Sequence, residues 1–182
     1  SYTSSTAEKP LLGMTIGDKF DQIAAQYPDN DALIALHQNI HWSYRELQQE
    51  VNRCARALLA IGVQKGDRVG IWAPNCSEWT LTQFATAKIG AILVNINPSY
   101  RTHELEYALN QSGARFLVTA HQFNSSAYTE MMAGLSEAEA EGKDGEAAAE
   151  AAPFELSCAE LLGGGMRVPW VQRVVTEALG GE

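Results

Sequence analysis

The chain has 182 residues, 46% hydrophobic and 19% charged, which is enough for one α/β domain with a real core and ordinary for a soluble globular protein. Its formal net charge is −9, of which −5 falls between Glu137 and Glu150, where Glu137, Glu139, Glu141, Asp144, Glu146 and Glu150 face only Lys143. The remainder is nearly balanced and contains no basic cluster, which argues against a nucleic-acid partner, and no apolar run reaches the length of a membrane span.

Residues 1–14 lack the charged start and apolar middle of a signal peptide and the arginines of a transit peptide, and read as a flexible leader. Three cysteines, Cys54, Cys76 and Cys158, form no CxxC pair and are odd in number, as expected of reduced, buried thiols in a cytoplasmic protein. Thr15 opens the first helix with Asp18 as its short capping partner. Ile16, Phe20, Ile23 and Tyr27 form one apolar stripe, and Pro28 ends it. Ala32–Leu36 and Ile40–Trp42 flank Gln38-Asn39 and predict a β-hairpin. His37 and His41 lie four apart, but the turn between them breaks the helical phase that would bring them together on a metal, so they read as exposed hairpin residues.

Ser43-Tyr44-Arg45-Glu46 is a capping box. The helix behind it carries Leu47, Val51, Cys54, Leu58 and Ile61 inward, with Gly62 as a left-handed stop. Three short apolar runs follow: Arg68–Ala73, Ala91–Ile96 and Arg115–Thr119. Two helical segments separate them. Runs of this kind without polar alternation predict strands buried on both faces, and the intervening helices supply parallel crossovers. The expected fold class is therefore α/β, with a doubly wound, mainly parallel sheet flanked by helices. Gly62, Gly66 and Gly70 are explained by a helix end, a turn and packing rather than by a ligand.

In such sheets ligands gather at the carboxyl ends of strands, where Asn75, Cys76 and Ser77 fall in the loop after the first core strand. That loop has no glycine to let a phosphate approach the backbone, and Ser77 reads as a helix cap. No His or carboxylate is tied by sequence to Cys76 to make it a nucleophile. The next helix, through Leu81, Phe84, Ala85 and Ile89, is apolar nearly all round and stops at Gly90. Thr102 then caps a helix with Leu105, Ala108 and Leu109 inward, and Gly113 stops it. The α/β subdomain spans 15–135, ending in an amphipathic helix over 127–135. Residues 136–153 form an acidic, low-complexity insert too poor in apolar surface to offset its ordering entropy, and its acids read as a solvated surface. Residues 154–182 read as a short helix at Ser157–Leu162, a Gly163-Gly164-Gly165 spacer and a strand at Val171–Val175, the truncated end of the same domain.

Two stretches carry a family resemblance. Trp42-Ser43-Tyr44-Arg45-Glu46-Leu47 resembles the first core motif of the adenylate-forming superfamily, and Thr86-Ala87-Lys88-Ile89-Gly90-Ala91-Ile92-Leu93-Val94-Asn95-Ile96-Asn97-Pro98 resembles the second. Gly66-Asp67-Arg68-Val69 with Pro74–Trp79, and Tyr100–Leu105 after them, are similar to the connecting segments of acyl-CoA synthetases, and Pro10–Asp18 is similar to the start of the fatty-acyl branch. The order and spacing of these segments, over residues 10–135 and again 168–175, carry more weight than any one of them.

The resemblance implies an N-terminal fragment of an AMP-forming fatty-acyl-CoA ligase, whose parent uses ATP, Mg²⁺ and coenzyme A and whose partners are the remainder of that enzyme and a fatty acid. The family's chemistry needs a Ser/Thr/Gly-rich phosphate loop ending in Lys-Gly and a lysine on a small C-terminal domain. This sequence contains neither that loop nor a GxxxxGK[ST] motif, so no catalytic, cofactor-binding or metal residue is assigned here, and the chain alone is expected to bind no cofactor and to be inactive. A reading from another class is a stand-alone homologue serving as an interaction or oligomerisation module, with a homodimer through the face left by the missing half.

Overall fold

A computed structural model describes residues 11–120, 122–123, 126–128, 131 and 157–162. The first helix, α1 (Ile16–Gln26), starts where Thr15 Oγ1 accepts the Asp18 amide at 3.1 Å. Its buried face is Gly17, Phe20 and Ala24, whereas Ile16 is 68% exposed, so the expected stripe is rotated. Gly17 sets that rotation: a Cβ there would lie 3.0 Å from the Lys88 Cα, so α1 crosses the later helix Ser77–Ile89 backbone to backbone. One turn on, Asp21 Oδ1 accepts from Lys88 Nζ at 2.5 Å and from Gln48 Nε2 at 2.6 Å. Burial pushes the Asp21 carboxyl up, but the bonds from Lys88 and Gln48 outweigh it and hold the group below its ordinary range.

The hairpin is present as β1 (Asp31–Ala35) and β2 (Ile40–Ser43), antiparallel, joined by a 3₁₀ turn at Leu36–Gln38 and by Asn39 in left-handed conformation at φ 53°. Helix α2 (Tyr44–Ala60) begins with both halves of the capping box made: Glu46 N–H to Ser43 Oγ, and Ser43 N–H to Glu46 Oε2 at 2.8 Å. The Ser43 amide first, and then the Ser43 hydroxyl, which also donates to Glu46 Oε2 at 2.8 Å, hold the Glu46 carboxyl below its ordinary range. Leu47 and Val51 join Phe20 in a small core that also takes Leu33, Trp42, Leu81 and Phe84.

The larger core lies on a parallel sheet. Strand β3 (Arg68–Trp72) pairs with β4 (Ile92–Ile96) on one edge and with β5 (Phe116–Ala120) on the other; β5 pairs in turn with β8 (Ser157–Leu162). The strand order is β4-β3-β5-β8. Helix α3 (Ser77–Ile89) links β3 to β4, and α4 (Thr102–Ser112) links β4 to β5. Because the chain steps outward to β4 and then back across β3, right-handed crossovers put α3 and α4 on opposite faces. A short antiparallel pair, β6 (Gln122–Phe123) and β7 (Ser126–Ala127), follows.

Four expectations change. Strands β3 and β5 are buried as expected, but β4 has the pattern of a sheet margin, with Ile92 49% exposed, because among the described residues it pairs only with β3. Ser157–Leu162 is a strand rather than a helix: a six-residue segment of mixed polarity is ambiguous by pattern, and pairing with the open edge of β5 decides it. The α4 cap is Arg101 rather than Thr102, with the Glu104 carboxylate accepting the Arg101 amide at 3.1 Å. Ala127 lies in β7, although Tyr128 and Met131 have helical backbone as expected for that region. The acidic segment 136–153, the glycine spacer and the strand expected at 171–175 lie outside the described residues.

Gly70 sits at the middle of β3, where a Cβ would meet Leu117 Cδ1 at 3.0 Å, Ile96 Cδ1 at 3.1 Å and Leu109 Cδ2 at 3.6 Å. Gly70→Val adds three carbons where the packing has room for none without displacement. The expected cost is about 2 kcal/mol of unfolding free energy, read as a lower urea midpoint at unchanged slope.

Candidate functional site

The topology selects the place. After β3 the chain continues to β4 on one side of it, whereas β5 lies on the other side with β8 beyond it, so the strand order switches direction between β3 and β5, which marks the crevice outside the carboxyl ends of these two strands as the place for a site. At that edge stand Trp72, the Pro74-Asn75-Cys76 loop, Asn97-Pro98 after β4, Thr119 at the end of β5, and Tyr128.

Trp72 and Tyr128 fill the crevice. Their rings stack with centroids 3.7 Å apart and planes 14° from parallel, and both side chains are fully buried. Each also uses its polar end: Trp72 Nε1 donates to the Asn97 carbonyl at 3.1 Å, and the Tyr128 hydroxyl donates to the adjacent Pro98 carbonyl. Burial pushes the Tyr128 phenol up to about 12, so it remains a neutral donor across the physiological range. Thr119 Oγ1 donates to the Trp72 carbonyl at 3.3 Å. Two consecutive carbonyls of the β4–α4 connection are thus held from β3 and from the segment after β5.

The loop after β3 is held from elsewhere. Cys76, not Ser77, occupies the N-cap of α3, and it makes no side-chain cap. Gln38, from the hairpin turn, supplies that function: its Oε1 accepts the Ser77 amide at 2.7 Å and its Nε2 donates to Glu78 Oε2 at 2.7 Å, while Ser77 Oγ donates to the same carboxylate at 2.9 Å. Cys76 is a free, half-buried thiol pushed up to about 11, first by burial, with the Glu78 carboxylate acting in the same direction. Cys54 is also free and is pushed up to about 12 by burial. Neither has the electropositive surroundings that make a thiol nucleophilic.

His37 and His41 do not come together on a common ligand. His41 Nε2 lies 2.8 Å from Asp31 Oδ1 across the hairpin, and His37 sits exposed in the turn. Asn75 is exposed at the rim of the crevice. No buried side-chain nitrogen or oxygen among the described residues lacks a hydrogen-bond partner. The described bonds at this edge form a frame that fixes the loops. Gln38 and Tyr128 are the two residues sequence reading passed over, since their partners lie 39 and 30 positions away and no local pattern marks them.

Comparison with known proteins gives a consistent picture. Residues 20–161 match the family described as AMP-binding enzyme. The mitochondrial medium-chain acyl-CoA ligase ACSF2 of Mus musculus is 41% identical over 132 residues, covering 72% of this chain and 22% of its own. The putative acyl-CoA synthetase YngI of Bacillus subtilis is 40% identical over 144 residues, covering 79% of this chain and 26% of its own. Among solved structures, the N-terminal domain of FACL13 from Mycobacterium tuberculosis superposes with a TM-score of 0.65 at 25% identity, covering 80% of this chain and 33% of that one. The N-terminal subdomain of Klebsiella oxytoca NpsA gives 0.56 at 30% identity, covering 62% and 29%. The chain thus spans about a fifth to a quarter of the length of these curated relatives. Among the described residues no helix is long and apolar enough to cross a membrane.

Two outcomes test the frame. Tyr128→Phe keeps the stack but leaves the Pro98 carbonyl without its donor, with an expected loss of about 1 kcal/mol of stability and faster amide exchange at Ser99 to Arg101. For Cys76, a shift from 9.0 to about 11 leaves roughly a hundredth of the usual thiolate at pH 7. Alkylation by iodoacetamide, followed by mass spectrometry of its peptide, is expected to be slower than for a free cysteine by about that factor and to recover on unfolding in urea.

Proposed function

The chain belongs to the AMP-binding, adenylate-forming enzyme family, and on that premise we propose that it is the N-terminal part of an ATP-dependent, AMP-forming acyl-CoA ligase acting on a fatty acid. The family match over residues 20–161 supports the reading, as do relatives named acyl-CoA ligase or synthetase at 40% identity and above. Medium- or long-chain acids are the proposed substrate class; the mouse and rat relatives are named medium-chain ligases.

The single observation that carries the division of labour is where the two motif segments fall. The first is the capping box that starts α2, and the second is the end of α3 with β4 and its closing Asn97-Pro98. Its lysine, Lys88, is committed to Asp21 and lies over the Phe20 ring. On this reading both motifs build the sheet and its helices, with Lys88 paired to Asp21.

In the proposed reaction a fatty-acid carboxylate, a poor electrophile, is converted to a mixed anhydride with AMP and then passed to the thiol of coenzyme A. ATP and Mg²⁺ supply the leaving group and the shielding of its charge. This chain's own residues hold the β3, β4 and β5 ends in register at the edge where a phosphate loop would have to pack. Charge stabilisation at the reacting carboxyl belongs, in this proposal, to segments the sequence does not contain, and the chain alone is inactive.

Isothermal titration of the purified 182-residue chain with MgATP is expected to give no saturable heat at millimolar nucleotide. Saturable binding would overturn the proposed inactivity, because it would require a phosphate site within these residues.

A further inference from the structure

The amino edge of the parallel sheet, at the opposite end from the crevice, collects cations. Arg68 opens β3, Arg115 immediately precedes β5 and Lys65 lies in the turn before β3, and all three are exposed. The turn is closed by the Asp67 amide on the Gln64 carbonyl at 3.0 Å, and the Arg115 amide donates to the Arg68 carbonyl at 3.1 Å. Cations suit this edge, to which α2, α3 and α4 present their carboxyl ends. Asp67 is engaged within the cluster, where it accepts the Gln64 amide at 2.8 Å and Arg115 Nη1 at 3.3 Å. Among the described residues no ion pair includes Lys65 or Arg68. The acids of α4, Glu104 and Glu106, stand in its first half, towards the carboxyl edge. Three cations against one carboxylate leave this edge at +2 in a chain of net charge −9.

The complementary charge is in the same chain, and the topology leads it here. Tyr128 stacks on Trp72 at the carboxyl edge, whereas Ser157 begins β8 at the amino edge, paired in parallel with Phe116, the neighbour of Arg115. The chain between them must therefore cross the length of the sheet towards these cations. It contains the window from Glu137 to Glu150, with its net charge of −5, and then Glu155, just before β8. Seven residues separate Glu150 from Ser157, a reach of at most about 25 Å. A tether that short holds the segment at an effective concentration of about 1 mM at the edge, so individually weak surface ion pairs suffice to populate a contact.

We propose that the acidic segment Glu137–Glu150 docks on the amino edge formed by Lys65, Arg68 and Arg115, so that the chain's own acids occupy its basic surface. This replaces the solvated surface that composition alone suggests for those acids. Charge complementarity selects the segment, and its tether gives it precedence over an anionic partner from outside. The contact lies at the far end of the sheet from the crevice and does not depend on the ligase reading.

NMR of the full chain, read at backbone amides and arginine Nε, tests it at low salt. The native chain is compared with one neutralised by Glu137→Gln, Glu139→Gln, Glu141→Gln, Asp144→Asn, Glu146→Gln and Glu150→Gln. Neutralisation is expected to shift the signals of Lys65 to Arg68 and of Gly113 to Phe116 and to leave those of the crevice in place. On the native chain, 0.5 M NaCl, with a Debye length of about 4 Å, is expected to reproduce these shifts, and on the neutralised chain to cause far smaller ones. A synthetic peptide of residues 136–152 is expected to bind the neutralised chain at the same signals, and the native chain about two- to fivefold more weakly because the edge is already occupied. Lys65→Glu with Arg68→Glu, both on exposed positions, is expected to remove the peptide response.

Unmoved signals at Lys65, Arg68 and Arg115 on neutralisation would overturn the proposal, as would shifts confined to other parts of the chain. So would equal peptide binding by the native and neutralised chains, which would leave the edge open to an anion from outside. Each of these leaves the result with MgATP unaffected, so failure here and failure of the ligase reading are told apart.

Discussion

The structure depends on the position of β3 between two parallel neighbours. A strand paired on both edges and covered on both faces has no room for error in side-chain size. The sequence meets that constraint with Val69 and Ile71 on one face and Gly70 and Trp72 on the other. Gly70 lets Leu117, Ile96 and Leu109 close over the centre of the strand, so α4 packs down on the sheet. Trp72, two residues on and so on the same face, fills the volume where α4 no longer covers the strand. Small then large along one face of one strand sets both the depth of a helix and the content of the crevice beyond it.

The second layer repeats this logic with helices. Gly17 brings α1 onto the backbone of α3 at Lys88, and this closeness lets Asp21, one turn later, reach the Lys88 ammonium. The Lys88 side chain is only 15% exposed, and such a cation is tolerated because it is paired, with its stem packed over Phe20. Gln48 from α2 shares the carboxylate, so one acid fixes three helices in register. Lys88 lies inside the second motif segment, and its surroundings tie α1 to α3.

What could be read from the sequence was what local chemistry encodes. The Ser43–Glu46 capping box, the Thr15 cap, the hairpin, the glycine stops at 62, 90 and 113 and the three apolar strands all follow from residues within a few positions of one another. What could not be read was set at a distance. The apolar stripe of α1 is rotated because of a backbone contact with a residue 71 positions on. The start of α3 looked self-capped by Ser77, yet its amide is satisfied by Gln38 from the hairpin, a residue that in sequence is only a polar turn-former. The run at 157–162 has no helical or strand signature of its own, and its partner on β5 decides it. At the candidate site the loop was legible and its content was not, because Tyr128 meets Trp72 only after the sheet has formed.

That asymmetry bears on how the fold divides its tasks. The carboxyl edge of a doubly wound sheet is where ligands are usually held, and it is held there by backbone amides and glycines that leave space. This chain does the opposite at the β3–β5 crevice: it closes the space with two stacked aromatics and spends their polar ends on the carbonyls of Asn97 and Pro98. Filling a crevice gains rigidity in the connections around it. A reacting group must be held to within a fraction of an ångström, and loops tied from three parts of the chain give a neighbouring segment a fixed surface to pack against. Under the proposed function, a segment that supplies chemistry can be mobile, because the surface that receives it is not.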